Sequence, residues 1–205
     1  LHVLTRTDPG APKHRGISYF MMRKDSPGIS LRPISQITEA SEFNETFFED
    51  VRVPAANMIG EENRGWYVGA TTLDFERSGV DRVAAFRGPY DLLMQHVQDP
   101  ANAVELSGTN RADLAEIAIE ADVARLVGLR VTWMQASGAV PNYEASMSKV
   151  FGSEMIQRDS QRAVRVLGQH SMLRPGSPHA IEDGLFCQIY LWAPSRSILA
   201  GTSEI

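Results

Sequence analysis

Short runs rich in β-branched and aromatic residues occupy the first part of the chain, from residue 1 to about residue 58. Turn-forming residues separate these runs at Asp8–Gly10 and Ser26–Gly28, and Pro54 closes the last run. This punctuation is typical of β-strands joined by tight turns. In the last run, Phe47 and Phe48 fall on opposite faces, which predicts that both faces are partly covered. The four runs are LHVLTRT, GISYFMMRK, GISLRPIS and EFNETFFEDVRV.

The pattern changes at Gly65, where strand-like alternation ends. Residues 65–98 are predicted to form one long helix with bends at Gly79 and at Gly88-Pro89. A second helix is predicted to begin near Asn110, with Asp113 as an imperfect capping partner, and to stop at Gly138. Apolar residues recur along this helix at helical spacing, at Ile119, Val123, Leu126 and Trp133.

Two further helices are predicted in the last third of the chain. One runs from about Asn142 to Leu167 and is closed by Gly168. The other is shorter and covers Gly184 to Trp192. The first of them carries an apolar stripe of Met147, Phe151 and Met155.

Strands followed by helices predict an α+β fold. We expect a small β-barrel or sandwich domain over residues 1–58 and a helical domain of the four-helix-bundle type over residues 59–205. The strand pattern is already under way at Leu1, and the last five residues are GTSEI. The chain is therefore expected to be a piece of a longer protein.

Composition narrows the classes of function. The chain is 43% hydrophobic and 22% charged, the balance of an ordinary globular protein. The formal net charge is −5 and no segment concentrates positive charge, which argues against nucleic-acid binding. No apolar run approaches the ~20 residues that span a bilayer. The single cysteine, Cys187, excludes an internal disulfide and favours a reducing compartment, so we expect a cytoplasmic protein.

Several catalytic motifs are missing from the sequence. The five histidines are scattered and none belongs to a ligand-spaced pair, so no metal site is predicted. There is no Gly-x-Ser-x-Gly elbow, no phosphate loop and no Gly-x-Gly-x-x-Gly. Composition and periodicity therefore lead no further than an α+β fragment.

Five segments resemble the acyl-CoA dehydrogenase family, in the family's order and at roughly its spacing. They are LTRTDPGAPKHRGISYFMM, FNETFFEDVRVPAANMIGEENRGW, TTLDFERSG, EASMSKVFGSE and GTSEI. The resemblance implies a middle β-domain followed by a C-terminal helical domain, with FAD as cofactor and an acyl-CoA thioester as substrate. It also implies an electron-transfer flavoprotein or a similar electron acceptor. The expected assembly is a homo- or hetero-oligomer, a dimer or tetramer, built through the helical domain.

The implied reaction is α,β-dehydrogenation to a trans-2-enoyl-CoA, in which a shielded carboxylate removes the α-proton and the flavin accepts a hydride. In one branch of the family this carboxylate directly precedes the Gly-Thr turn, where this chain has Ala200. In another branch it lies in a motif that resembles LDFERSG, where this chain has Glu76. Glu76 is therefore the predicted base. The alternative is a helix-surface acid paired with Arg77 or Arg82.

The predicted substrate contacts also come from the resemblance. Asp74 and Arg77 match positions that contact the pantetheine and nucleotide parts of CoA, although a solvated charge is the alternative for Arg77. Ala200 and Gly201 match the turn at the thioester. The backbone N–H of Ala200 is expected to donate to the thioester carbonyl, which polarises it as negative charge develops.

The predicted flavin contacts are Thr202, Ser203 and Glu204, which match a turn that meets the adenosine and pyrophosphate of FAD. A Gly-Thr-Ser turn presents backbone N–H groups to a phosphate, and it also serves as an ordinary helix cap. Arg165, within RVLGQ, falls at the family's Gln-x-x-Gly-Gly flavin motif and is predicted to reach the FAD phosphates.

Two departures from the family pattern keep alternatives open. The glycine pair is broken in RVLGQ, and NRADLAEI stands where family members carry Arg-x-x-Phe-Gly for the neighbouring subunit's FAD. These departures indicate a divergent bacterial-type branch in which some subunits share FAD sites. One alternative is therefore a non-catalytic or half-site subunit of a hetero-oligomer. The other is an acyl-CoA oxidase, which passes its electrons to oxygen.

Overall fold

The computed structural model describes residues 1–77 and 87–204, and for residues 74–77 it describes the backbone alone. The chain divides into two compact units, Leu1–Glu76 and Arg77–Ile205. All of the described strands lie in the first unit, and most of the helical residues lie in the second. The predicted order of strands before helices is confirmed.

In the described part of the chain, five strands form two antiparallel sheets. β2 (Ile17–Met21) pairs on one side with β1 (His2–Arg6) and on the other with β5 (Met58–Ile59). The second sheet contains only β3 (Ile29–Ile34) and β4 (Phe43–Phe48). A barrel closes only when every strand has two neighbours. Within residues 1–77 only β2 has two, so the barrel, one of the two predicted alternatives beside a sandwich, is wrong.

Both faces of β4 are exposed within the first unit, so the predicted partial cover of this strand is not found. Phe43, Phe47 and Phe48 keep 42%, 40% and 47% of their surface accessible. The only strand that pairs with β4 in the described part of the chain is β3, which lies beside it in the same sheet. A neighbour within a sheet leaves both faces of a strand open.

The long helix predicted for residues 65–98 is described in two parts. Residues 78–86 lie outside the described residues, and the predicted bend at Gly79 lies among them. None of the described helices is long and apolar enough to cross a membrane. The helices are α1 (Gly65–Arg77) in the first unit, and α2 (Arg87–Gln98), α3 (Gly108–Ala136), α4 (Tyr143–Leu167) and α5 (Leu185–Arg196) beyond it.

A buried polar cluster fixes the start of α1 against β2. Ser18 Oγ lies 2.7 Å from Thr7 Oγ1 and accepts a hydrogen bond of 2.8 Å from the backbone N–H of Asn63. At Gly65 the helix comes very close to β2, because a Cβ atom built there would lie 2.3 Å from the backbone nitrogen of Tyr19. Any other residue at position 65 would push α1 away from the sheet.

The N-terminus of α3 differs from the sequence prediction. Ser107 is the cap, and its Oγ accepts a hydrogen bond of 3.2 Å from the backbone N–H of Asn110. Asn110 therefore lies inside the helix, and the predicted capping pair with Asp113 is wrong. A hydroxyl that precedes the first helical residue satisfies a free N–H of the first turn, which is why Ser is favoured there.

The second unit has one apolar core to which four helices contribute. Leu93 of α2, Ile117 of α3, Met155 of α4 and Phe186 of α5 are all fully or almost fully buried. Of the predicted α4 stripe, Met155 belongs to this core, whereas Met147 is exposed. A helical C-terminal domain is therefore observed. Its description as a four-helix bundle stays a prediction.

The apolar stripe predicted along α3 faces away from this core. Its residues keep between 38% and 68% of their surface accessible. Small and medium residues form the buried face instead, which lets α4 pack closely against α3. The buried apolar residues of α3 are Leu114, Ile117, Ala121, Ala124 and Val131, and the exposed ones include Ile119, Val123, Leu126 and Trp133.

Candidate active site

The predicted base and two predicted CoA contacts lie at the C-terminal end of α1. Asp74, Glu76 and Arg77 belong to the last turn of this helix. Their side chains lie outside the described residues, as does the whole of Arg82, so the roles of these residues stay predictions.

The Gly-Thr-Ser turn follows α5 and closes on the end of that helix. Ala200 has φ 55° and Gly201 has φ 95°, so two successive residues have positive φ. The backbone N–H of Ser203 donates to the carbonyl of Ser197, the C-cap of α5, at 3.0 Å. Positive φ costs a non-glycine residue roughly 1–2 kcal/mol. The turn therefore holds Ala200 in a strained conformation.

Two side chains of α4 fasten this turn to the helical core through Ser197. Lys149 Nζ donates to the Ser197 carbonyl at 3.4 Å, and Gln157 Nε2 donates to Ser197 Oγ at 2.8 Å. The Ser197 carbonyl thus accepts hydrogen bonds from both α4 and the turn. Rigid support of this kind lets a turn present its remaining polar groups in a fixed direction.

The turn leaves hydrogen-bonding groups available to a ligand. The backbone N–H of Ala200 donates to none of the described residues. Ser203 Oγ is buried and has no hydrogen-bond partner within residues 1–77 and 87–204. An unsatisfied buried hydroxyl costs about 1–3 kcal/mol. An N–H and an O–H donor fit a carbonyl or phosphate oxygen, and these are the groups that an acyl thioester and FAD would bring.

Glu204 has a different electrostatic character from the two residues before it. The Thr202 hydroxyl, then the backbone N–H of Glu204 itself, and finally the charge of Lys149 hold the pKa of the Glu204 carboxyl below its usual range. The carboxylate is therefore ionised at neutral pH. It suits the hydroxyl groups of a ribose, which donate hydrogen bonds, and it repels a phosphate.

Arg165 is engaged inside the helical domain. Its Nε and Nη2 atoms donate to the two carboxylate oxygens of Asp113 on α3, at 3.0 Å and 2.8 Å. Asp113 is buried, and its interaction with Arg165 raises the pKa of the guanidinium further above its usual value. A bidentate pair of this geometry is among the strongest side-chain interactions. The observed contact of Arg165 is thus structural. Its predicted contact with FAD stays a proposal, and it concerns only the exposed edge of the guanidinium.

Arg165 belongs to a larger cluster of charges that the sequence analysis did not identify. Arg158 and Arg162 of α4 both donate to Glu120 of α3, with shortest distances of 2.6 Å and 2.7 Å. Burial raises the pKa of Glu120, but these two arginines outweigh it and hold that pKa below its usual range. We call the cluster the charged seam, and it consists of Asp113, Glu120, Arg158, Asp159, Arg162 and Arg165.

Asp159 is the least accessible member of the charged seam. It has no exposed surface, and its Oδ1 accepts a hydrogen bond of 2.7 Å from Arg162. Its Oδ2 has no partner in the described part of the chain. Burial raises the pKa of Asp159 to about 7, against the opposing effect of Arg162. A buried carboxylate with one oxygen unpaired is costly to keep ionised.

The two regions that depart from the family pattern meet in one polar pocket of about 580 Å³. Asn110 begins NRADLAEI, Gly168 belongs to RVLGQ, and both line the pocket. Two carboxylates, Glu105 and Glu182, line it as well, and the described lining contains no lysine or arginine. Three imidazoles also line the pocket, those of His96, His170 and His179. Such a lining does not favour a diphosphate at neutral pH.

Comparison with known proteins identifies the family. A family model described as the C-terminal domain of acyl-CoA dehydrogenase matches residues 63–205. This match covers more than half of the chain, and the chain therefore belongs to the acyl-CoA dehydrogenase family. Members of this family are flavin-dependent oxidoreductases that use FAD. The resemblance predicted from the sequence is confirmed.

The curated relatives are longer proteins. Acyl-CoA dehydrogenase IpdE1 of Mycobacterium tuberculosis is 30% identical over 212 residues, which cover 99% of this chain and 51% of the relative. Acyl-CoA dehydrogenase FadE34 of the same organism is 35% identical over 149 residues, 73% of this chain and 20% of the relative. The chain spans about half the length of IpdE1.

Solved structures show the same fold. The Tcur3481-Tcur3483 steroid ACAD has a TM-score of 0.89 and 29% identity, covering 99% of this chain and 52% of its own. The ChsE4-ChsE5 complex from Mycobacterium tuberculosis has a TM-score of 0.84 and 29% identity, covering 98% of this chain and 53% of its own. These likenesses confirm the acyl-CoA dehydrogenase fold with a helical C-terminal domain.

Proposed function

We propose that the protein to which this chain belongs dehydrogenates an acyl-CoA thioester to the trans-2-enoyl-CoA with FAD. The observation that carries this proposal is the turn after α5. It combines the backbone N–H of Ala200 with the buried hydroxyl of Ser203, and neither group has a hydrogen-bond partner in the described part of the chain. These donors lie at the positions where the family resemblance expects the thioester and the flavin.

Glu76 acts as the base that removes the α-proton. The α-proton is weakly acidic, so the carbonyl must be polarised at the same time. Ala200 keeps its N–H for this purpose even though it lacks a carboxylate. Asp74 and Arg77 hold the CoA portion, and Gly201 lets the turn approach the thioester closely. FAD, when bound, would supply the acceptor for the hydride of the β-carbon, and an electron-transfer flavoprotein or a similar acceptor would take up the electrons.

The residues of the turn fit FAD in two different ways. Ser203 would donate its unpaired hydroxyl to the pyrophosphate, and Thr202 lies next to it in the same turn. Glu204 would accept hydrogen bonds from the ribose, because its carboxylate is ionised. Arg165 would add at most a weak contact through its exposed edge, since its Nε and Nη2 atoms are paired with Asp113.

A half-site role in a mixed assembly is the second candidate, and the polar pocket favours it. The pocket is lined by Asn110 and Gly168, which belong to the two segments that depart from the family pattern, and also by Glu105 and Glu182. Carboxylates repel a diphosphate. Under this alternative the chain keeps the turn for its own flavin and offers no contact to a neighbour's flavin. The structural neighbour ChsE4-ChsE5 is itself described as a complex of two proteins.

The exposed apolar face of α3 is proposed as the interface with another subunit. Ile119, Leu126 and Trp133 keep 59%, 58% and 68% of their surface accessible. Large contiguous apolar surfaces on helices mark protein interfaces. Leu126→Glu should therefore reduce the molar mass in light scattering from that of the oligomer. Arg125→Glu, which introduces the same side chain one position away, is the control and should leave the mass unchanged.

The test of the proposed activity is Glu76→Gln in the full-length protein. Glutamine keeps the shape of glutamate but cannot accept the proton. Loss of a general base should slow substrate-induced bleaching of the flavin by about 10²–10⁴-fold in anaerobic single turnover. Flavin content should not change. Glu62→Gln, in the loop before α1, is the matched control and should be fully active. Bleaching by Glu76→Gln at the wild-type rate would exclude Glu76 as the base.

A further inference from the structure

One residue, Ser197, connects the turn after α5 to both α4 and α5. The carbonyl and the hydroxyl of Ser197 have two partners each. The carbonyl accepts hydrogen bonds from Lys149 Nζ at 3.4 Å and from the backbone N–H of Ser203 at 3.0 Å. The hydroxyl accepts a bond of 2.8 Å from Gln157 Nε2 and donates one of 3.1 Å to the Pro194 carbonyl. Two helices and the turn therefore meet at this residue.

The end of α5 explains why a hydroxyl at position 197 is useful. The last carbonyls of a helix have no partner within it. The N–H groups of Ile198 and Leu199 both donate to the Ser195 carbonyl, at 3.0 Å and 2.9 Å, and neither donates to the Pro194 carbonyl. Ser197 Oγ donates to that carbonyl instead. This bond holds the Ser197 side chain in one orientation, so its oxygen presents its lone pairs to α4 in a fixed direction.

Gln157 provides the shorter of the two contacts from α4 to Ser197. It follows Lys149 by eight residues, which places both residues on the same side of the helix. The amide of Gln157 is uncharged, and the residue lies outside the five segments that resemble the family. In the described part of the chain, its side chain donates to Ser197 and to no other residue of the turn. Its effect on the turn is therefore expected to pass through the Ser197 hydroxyl.

The backbone of the turn needs support of this kind. Ala200 has φ 55° and is followed by Gly201 with φ 95°. A residue other than glycine keeps a positive φ only where the surrounding contacts over-determine its conformation. The Ala200 N–H and the Ser203 hydroxyl keep their directions only while the turn keeps this conformation. A misplacement of about 1 Å at a catalytic group costs on the order of 10²-fold in rate, so a smaller shift of the turn should still be measurable.

We propose that Gln157 is a positioning residue for the dehydrogenation and that it acts through the hydroxyl of Ser197. It holds the turn so that the Ala200 N–H points to the thioester carbonyl and the Ser203 hydroxyl points to the flavin. The inference rests on the proposed function. Negative charge on the carbonyl oxygen grows in the transition state, so a misdirected N–H slows the chemical step more than it weakens substrate binding.

The first test is Gln157→Met in the full-length protein, which keeps the length of the side chain and removes its donor. The substrate is the ester, among butyryl-CoA to hexadecanoyl-CoA, that bleaches the wild-type flavin fastest. The rate of flavin reduction at saturation should fall by about tenfold, and the substrate dissociation constant should change by less than about twofold. Gln161→Met, on an exposed position one turn further along α4, is the matched control and should behave as wild type. Equal rates in the two variants, or an effect confined to substrate affinity, would overturn the proposal.

A double-mutant cycle tests the route through Ser197. Ser197→Ala removes the hydroxyl and keeps the carbonyl that Lys149 and the Ser203 N–H use. If Gln157 acts through this hydroxyl, adding Gln157→Met to Ser197→Ala should slow flavin reduction by less than about twofold further. A further loss of about tenfold, equal to that of Gln157→Met alone, would show that Gln157 acts by another route and would overturn this part of the proposal.

Hydrogen exchange separates the positioning of the turn from the chemistry. The Ser203 N–H is bonded to the Ser197 carbonyl, so its protection reports whether the turn is closed onto α5. Peptides that cover residues 198–204 should exchange about tenfold faster in Gln157→Met than in Gln161→Met or wild type. Equal exchange in the three proteins would overturn the proposal. If none of the esters bleaches the wild-type flavin, the proposed function fails, and this comparison alone decides whether Gln157 holds the turn.

Discussion

The turn after α5 and the charged seam between α3 and α4 both carry residues at predicted flavin positions, but they differ in what those residues contact. In the turn, Ser203 Oγ is buried and has no partner among the described residues, and the Ala200 N–H donates to none of them. In the seam, both donor atoms at the inner side of Arg165 are paired with Asp113. The difference shows that a side chain at a motif position can bind a ligand only if its donor and acceptor atoms have no partner within the fold.

This contrast gives the two regions different roles. The turn is a ligand-binding element supported from α4 by Lys149 and Gln157. The seam joins α3 to α4 through buried or partly buried ion pairs. Changes in the turn should therefore alter substrate and flavin behaviour, whereas changes in the seam should alter stability.

The largest expected effect is on catalysis. Its test combines a substitution in α1 with a substitution in the turn. Glu76→Ala alone should lose about 10²–10⁴-fold in the rate of flavin reduction. Adding Ala200→Glu should restore a measurable fraction, because the new carboxylate enters from the position that another branch of the family uses. The recovery should be partial, since a misplacement of about 1 Å costs on the order of 10²-fold. Anaerobic single turnover with saturating acyl-CoA measures both rates.

The positive φ of Ala200 does not affect this experiment. Alanine and glutamate both carry a Cβ atom, so the backbone strain at position 200 is the same for both residues. Ala200→Glu without the change at position 76 should be slow, because two carboxylates in one dry site repel and one of them stays protonated. Suppose that the double variant is no faster than Glu76→Ala, although its new carboxylate reaches the substrate α-carbon. The interchange of base positions would then be wrong.

The sequence predicted the order of elements and the bounds of α4 closely, because Asn142 and Gly168 bracket a long periodic segment. It misplaced the start of α3, where Ser107 caps the helix three residues before Asn110. Of the predicted barrel or sandwich, the barrel was also wrong, because strand signals show that strands exist but not which edges pair. Pairing depends on contacts between distant segments, such as β2 with β5.

The charged seam escaped prediction for a similar reason. Arg158, Arg162 and Arg165 recur at helical spacing, which is a visible sign of one charged stripe on α4. The usual interpretation of such a stripe is a solvated face. Only the packing of α3 shows that Asp113 and Glu120 meet it. The apolar residues of α3 show the opposite case. Their spacing predicts a buried face, yet Trp133 and Leu126 are exposed.

The second expected effect is on stability, and it tests the structural role of the seam. Burial raises the pKa of Asp159 from 3.8 to about 7. The folded protein therefore keeps a proton that the unfolded chain releases, so stability falls as pH rises from about 4 to about 7, and the full penalty applies above that window. Each fully shifted unit is worth about 1.4 kcal/mol. Asp159→Asn should lack this slope and be more stable than wild type above pH 7.

Urea unfolding at a series of pH values measures this difference, and Asp122→Asn provides the control. Asp122 lies on α3 as part of an exposed ion pair with Arg125, which contributes little. Asp122→Asn should therefore show the same dependence of the unfolding free energy on pH as the wild type. Flavin content should be the same in all three proteins. A parallel dependence on pH for wild type and Asp159→Asn would show that Asp159 is ionised in the fold at little cost.

The most direct test of the contrast between turn and seam is the flavin dissociation constant of Ser203→Ala beside that of Arg165→Leu, in the full-length protein. Ser203→Ala removes a hydrogen bond to a charged group, worth about 1.5–3 kcal/mol, so flavin should bind about tenfold or more weakly. Arg165→Leu should lower the unfolding free energy, because Asp113 loses its bidentate partner, yet change the flavin dissociation constant by less than about twofold. Arg165→Gln, which keeps one donor for Asp113, covers the case in which the leucine variant does not fold. Weaker flavin binding in the Arg165 variants, with none in Ser203→Ala, would contradict the assignment of the turn as the flavin contact.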